Sequence, residues 1–117
     1  MGKKLKTLGV ILARGGSKGI IKKNIAMVNE KPLIAYTIEA ALSSNIFDNF
    51  IVSTDCEEIA SVAEAHGASV PFMRPAALAQ DHTWSRDALQ HAVLESEKVY
   101  SCQYDYILYL VPLELNH

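Results

Sequence analysis

The chain has 117 residues, half of them apolar and 21% charged, with eleven Lys and Arg against thirteen Asp and Glu and a net charge of −2. That is enough apolar material for one domain with its own core, and too much for a disordered tail. A slightly acidic balance also argues against a partner that holds nucleic acid by bulk charge.

The basic start Met1-Gly2-Lys3-Lys4-Leu5-Lys6 is followed by an apolar run, Leu8 to Ala13, too short for the core of a signal peptide. Lys6 stands where a myristoylation signal needs Ser or Thr. No stretch approaches the ~20 apolar residues of a membrane-spanning helix. Thr7 to Leu12 is continuous and β-rich, as expected of a strand buried on both faces of a parallel sheet. It runs into Ala13-Arg14-Gly15-Gly16-Ser17-Lys18-Gly19, which no regular element tolerates, and then into Lys22-Lys23-Asn24. Lys31-Pro32 opens a helix, with proline at its first position. Leu33, Ile34, Tyr36, Thr37, Ile38, Ala41 and Leu42 give that helix a broad apolar face.

Phe50 to Ser53 is the second strand, and Thr54-Asp55 after it can cap a helix from about Glu57 to His66. Gly67 is a natural stop for that helix, and His66 a cation at its carboxyl end. Ser69-Val70-Pro71-Phe72 is a short extended piece, with Pro71 confining it to an edge or a turn. A loop from Arg74 to Thr83 leads to a third helix from about Trp84 to Val99, and Tyr106 to Leu110 is the last strand. The order β-α-β-α-(β)-loop-α-β predicts parallel strands with helices on both faces, in one domain over 1–117. Ligands in such folds sit beyond the carboxyl ends of the strands. The segments 14–24 and 54–55 and whatever follows Leu110 occupy those ends.

The first loop is the strongest chemical signal. Its glycines let backbone N–H groups approach a phosphate, and Arg14, Lys18, Lys22 and Lys23 can neutralise a triphosphate. It is neither a Walker A loop nor a Gly-x-Gly-x-x-Gly dinucleotide fingerprint. Set against this is a flexible basic surface loop with no ligand. His82 and His91 lack paired ligand spacing, so no zinc site is expected. Asp81 is expected at a helix start. Trp84 is expected to pack there rather than stack on a base. Asp55 reads equally as a helix cap and as a carboxylate beside a ligand. Cys56 and Cys102 lie far apart with no CxxC, which predicts reduced thiols in a cytoplasmic protein.

Ala13-Arg14-Gly15-Gly16-Ser17-Lys18-Gly19-Ile20 with Lys23-Asn24 resembles the signature of the acylneuraminate cytidylyltransferases, the CMP-sialic acid synthetases. The resemblance continues through Lys31-Pro32-Leu33-Ile34-Ala35-Tyr36, Ile51-Val52-Ser53-Thr54-Asp55, Glu58-Ile59-Ala60, Gly67-Ala68, Arg74-Pro75 and Leu78-Ala79-Gln80-Asp81. It implies a Rossmann-like, three-layer α/β/α nucleotide-diphospho-sugar transferase fold with a mostly parallel sheet. It also implies transfer of CMP from CTP to a nine-carbon 2-keto acid sugar, of sialic, legionaminic or pseudaminic type, with release of pyrophosphate and the help of Mg²⁺. By position, Arg14 would contact the phosphates and Lys23 stabilise transition-state charge. Ala13, Gly15, Gly16, Ser17, Lys18 and Asn24 would cradle the nucleotide, and Arg74, Thr83 and Ser85 would line its pocket.

The sequence leaves the family's pattern after Leu110, where Val111-Pro112-Leu113-Glu114 stands in place of Gln-Pro-Thr-Ser. The resemblance therefore implies the nucleotide-binding half of an incomplete fold, from a premature end or a short paralogue. The metal carboxylates, further sugar-binding residues and the dimerisation segment would lie in the other half. The alternative is a CTP-binding module without turnover, or an assembly protein. A last strand without its neighbours leaves an apolar sheet edge exposed, which predicts a homo-oligomer.

Overall fold

The computed structural model describes residues 5–16, 25–80 and 82–111. Strand β1 (Thr7–Leu12) lies at the centre of a parallel sheet, between β4 (Asn49–Ser53) and β5 (Tyr106–Leu110). Val10 stands opposite Ile51 on one side and Tyr109 on the other. Helix α1 (Leu33–Ser44) carries the chain from β1 to β4, and α2 (Glu57–Ala65) carries it on to Ser69, which bridges in parallel to Ile51. Helix α3 (Ser85–Tyr100) then returns it to β5, on the opposite side of β1. The connection thus reverses direction at β1, the arrangement that opens a crevice at the carboxyl edge of an α/β sheet.

The two faces of the sheet are packed by different helices, as a strand period of two requires. Ile11 on β1 and Ala13 just past it, with Phe50 and Val52 on β4, meet Ile34 and Ile38 of α1 and Ile59 and Ala63 of α2. Leu8 and Val10, with Ile51, meet Leu89, Ala92 and Val93 of α3. Each fully buried aliphatic side chain contributes about 1.5–3 kcal/mol by leaving water. Gly9 leaves room on the α1 side, where Phe47 and Phe50 set their rings 5.6 Å apart. By contrast, no residue of β5 is fully buried, and Tyr106, Tyr109 and the following Val111 are exposed. Its outer edge pairs with no strand among the described residues.

The predicted strands and helices stand within one or two residues of their expected ends. Ser69 is an edge piece, as Pro71 suggested. Gly67, at φ +100°, closes α2: its N–H donates to Glu64 O, and Ala68 N–H donates to Ala63 O. His66 sits at the carboxyl end of α2, with Nδ1 3.7 Å from Glu39 Oε2.

Four local expectations are corrected. Lys31-Pro32 forms β3, paired antiparallel with β2 (Met27–Val28), and Pro32 precedes the helix with an extended ψ of 142°. Asn29 and Glu30 between them both have positive φ, the geometry of a two-residue hairpin. Neither Thr54 nor Asp55 caps α2, whose N-cap is Cys56 without a side-chain bond, because both side chains are engaged elsewhere. Trp84 does not pack at the start of α3 but is 72% exposed. Residues 76–78, expected as loop, form a turn of 3₁₀ helix.

Candidate functional site

The carboxyl ends of β1 and β4 are tied together just where the chain leaves the sheet. Ala13 N–H donates to Ser53 O at 2.9 Å, continuing the ladder one residue past β1. Arg74 N–H donates to Thr54 O at 2.8 Å and brings the next loop onto the same edge. Thr54 Oγ1 accepts the N–H of Cys56 at 3.1 Å, which turns the chain sharply into α2.

Arg74 is the pivot of this edge. Its side chain is nearly buried, at 5% exposure. Nε donates to Ser53 Oγ at 3.1 Å, Nη2 to Ser53 O at 2.8 Å and Nη1 to Leu78 O at 3.1 Å. Burial lowers the guanidinium's pKa from its ordinary value; the charge of Asp55 opposes that shift, and Arg14 adds to it. Asp55 and Arg14 therefore both lie close enough to act on the charge of Arg74. A guanidinium stays protonated in such a place, so a positive charge sits beneath the first loop. The planar fork suits three acceptors on two segments at once, which an ammonium cannot match.

In the first loop, Gly15 is buried and its N–H donates to Asp55 Oδ1 at 2.8 Å. A Cβ at Gly15 would lie 2.7 Å from Cys56 Cβ, so the loop backbone presses on the start of α2. Gly16 is exposed, and a Cβ there would meet nothing within 4 Å. Arg14 is half-buried. Thr83 Oγ1 accepts Gln80 N–H at 3.0 Å and closes a turn just before α3, while Ser85 is the exposed first residue of that helix. Helix α3 runs back toward the amino ends of the strands, so Thr83, Trp84 and Ser85 stand at the same end of the sheet as the loop.

The structure thus gathers Ala13, Arg14, Gly15, Gly16 and Arg74 at one edge and sets Thr83 and Ser85 on its rim. Ser17, Lys18, Lys23 and Asn24 lie outside the described residues, as do Lys22 and Asp81. Arg74, expected in the wall of a pocket, spends three donors on the protein's own backbone and Ser53. Two participants were not singled out from the sequence. Ser53 looks like a strand end, and its one signal is a hydroxyl closing an otherwise apolar run. Leu78 acts through its carbonyl, which no sequence pattern marks. His91 packs edge-on to Phe72, with Nδ1 buried and unbonded, and His82 is exposed. Among the described residues no group of three or more His, Cys, Asp or Glu side chains could hold a metal ion. Cys56 and Cys102 are free thiols. No helix among the described residues is long and apolar enough to cross a membrane.

A parallel sheet that reverses direction at β1, with a glycine loop and two arginines at that point, defines an α/β protein of the Rossmann-like class. The chain belongs to the cytidylyltransferase family, whose model matches residues 8–105. It is 51% identical over 89 residues to a pseudaminic acid cytidylyltransferase of Campylobacter jejuni, covering 76% of this chain and 38% of that protein. It is 47% identical over 88 residues to an N-acylneuraminate cytidylyltransferase of Escherichia coli, covering 75% of this chain and 21% of that one. Its fold is similar to a solved structure of CMP:2-keto-3-deoxy-manno-octonic acid synthetase complexed with CTP, with a TM-score of 0.71 and 25% identity over 91% of this chain and 39% of the other. The chain spans about two fifths or less of the length of these relatives.

Proposed function

We propose that this chain binds CTP at the carboxyl edge of β1 and β4, and that it forms the nucleotide-binding part of an enzyme that transfers CMP to an acidic nine-carbon 2-keto sugar with release of pyrophosphate. The family match over residues 8–105 carries this reading, because it covers the whole edge that holds Arg14, Gly15 and Arg74. Arg14 would meet the phosphates, and the buried charge of Arg74 would favour an anion above it. Lys23 would stabilise charge developing on the departing pyrophosphate. In-line attack at the α-phosphorus asks mainly for positioning and charge neutralisation, which such a loop supplies. Gly16 is open to a phosphate, whereas the N–H of Gly15 is already engaged.

Mg²⁺ belongs to the same expectation. Among the described residues no group of three or more His, Cys, Asp or Glu side chains could hold it alone, and a magnesium ion ordinarily takes one or two carboxylates together with the substrate's phosphates. The reading places the protein in the cytoplasm, in keeping with its two free thiols. It includes self-association through the outer edge of β5, which pairs with no strand among the described residues and leaves Tyr106, Tyr109 and Val111 exposed. A clean monomer in a sedimentation run would count against that association.

The nucleotide reading is tested by calorimetric titration with CTP, alongside an assay for pyrophosphate released from CTP, the sugar acid and Mg²⁺. Binding that Arg14→Ala weakens at least about tenfold is expected, from the loss of a charge-assisted contact. A flat titration refutes it. Binding without pyrophosphate favours a module without turnover.

A further inference from the structure

We propose that Asp55 is a positioning residue: its carboxylate holds Gly15, and with it the turn Arg14-Gly15-Gly16, in the form that receives the nucleotide's phosphates. This rests on the CTP reading above and adds to it a residue that touches no reacting atom. The observation is a long-range bond. Asp55 Oδ1, just past β4, accepts the N–H of Gly15, just past β1, at 2.8 Å. The two residues are forty apart in sequence, so this contact exists only because β1 and β4 are neighbours.

The surroundings say what the bond is for. Gly15 is buried and pressed against Cys56, while Gly16 beside it is exposed with open space around it. The loop is therefore pinned at one residue and exposed at the next. A negative charge is a poor neighbour for a triphosphate, since like charges repel strongly in a partly desolvated site. Asp55 lies close enough to Arg74 to act on its charge, and so does Arg14. An anion in a cationic site is explained by what its oxygen does: it fixes a backbone N–H and keeps the turn from folding away. The competing role is a helix cap or a charge partner for the start of α2. That role does not account for the bond to Gly15, and α2 takes no side-chain cap bond.

Two substitutions separate geometry from charge. Asp55→Asn keeps an acceptor oxygen for Gly15 and removes the charge; Asp55→Ala removes both. Amide hydrogen exchange at Gly15, followed by NMR on the full chain, reads the bond directly, and CTP calorimetry reads its consequence. Circular dichroism confirms that each variant folds. In Asp55→Ala, exchange at Gly15 is expected to quicken and CTP affinity to fall, each by about tenfold or more, the size of a lost hydrogen bond to a charged group. In Asp55→Asn, protection is expected to persist and CTP affinity to hold or tighten. Two results overturn the proposal: an Asn variant that loses CTP as badly as Ala, or an Ala variant whose Gly15 exchanges no faster than wild type. If the wild-type chain binds no CTP, the nucleotide reading fails. The exchange comparison then still decides whether Asp55 holds the loop.

Discussion

Replacing Arg74 by alanine tests whether the candidate edge is held together as described. The side chain donates to Ser53 Oγ, Ser53 O and Leu78 O from a position only 5% exposed. Ser53 O would keep the Ala13 N–H and lose only its second donor. Ser53 Oγ and Leu78 O would lose the guanidinium outright. A buried acceptor left without a donor costs about 1–3 kcal/mol; fully buried Ser53 belongs at the upper end, and the part-buried Leu78 carbonyl at the lower. Removing the cation also relieves its own desolvation, which offsets part of that loss. The net expectation is a destabilisation of about 2–4 kcal/mol. For a domain of this size that is a fall in Tm of about 10 °C. Urea unfolding followed by circular dichroism measures it, at two protein concentrations because self-association would make the midpoint concentration-dependent. Arg74→Lys keeps the charge but not the fork, and should recover about half of the loss. An Arg74→Ala chain within about 0.5 kcal/mol of wild type would refute the argument that this residue ties the second loop to the sheet.

The other predictions concern the scaffold. Gly9→Ala places a Cβ 2.8 Å from the rings of both Phe47 and Phe50 and should cost about 1–3 kcal/mol, read by the same unfolding assay. On the surface, the 2.6 Å bond from Lys31 Nζ holds the Glu39 carboxyl below its ordinary pKa, with the nearby His66 as a smaller influence. A depressed carboxylate stabilises the fold above its unfolded pKa and loses that contribution as pH falls through the folded value. Glu39→Gln should therefore lower stability slightly on the neutral side, leave it little changed at low pH, and so flatten the slope between them; an unchanged acid slope would contradict it.

Much of the scaffold was legible in the sequence. Thr7 to Leu12 and Phe50 to Ser53 are apolar runs that can only be buried, the apolar periodicity marked α1 and α2, and Gly67 ended α2 for a reason local to its own backbone. The hairpin at Met27–Pro32 was not legible. Asn29 and Glu30 carry no glycine to announce positive φ, and Pro32 suits a helix start as well as an extended residue.

At the site, the residue types of the first loop and their likeness to the cytidylyltransferases came from the sequence alone, because charge and glycine content are written in the chain. Which contacts Asp55 and Arg74 make was decided by the tertiary structure. Asp55 could serve its own helix or reach across to β1, and sequence offers no way to choose between a neighbour two residues away and one forty away. Only the parallel pairing of β1 with β4 puts the Gly15 N–H within 2.8 Å of that carboxylate. Likewise Arg74 looks like any loop cation until folding buries it under Ser53 and Leu78. Its fork then meets three acceptors whose convergence is a property of the assembled edge and of no local segment.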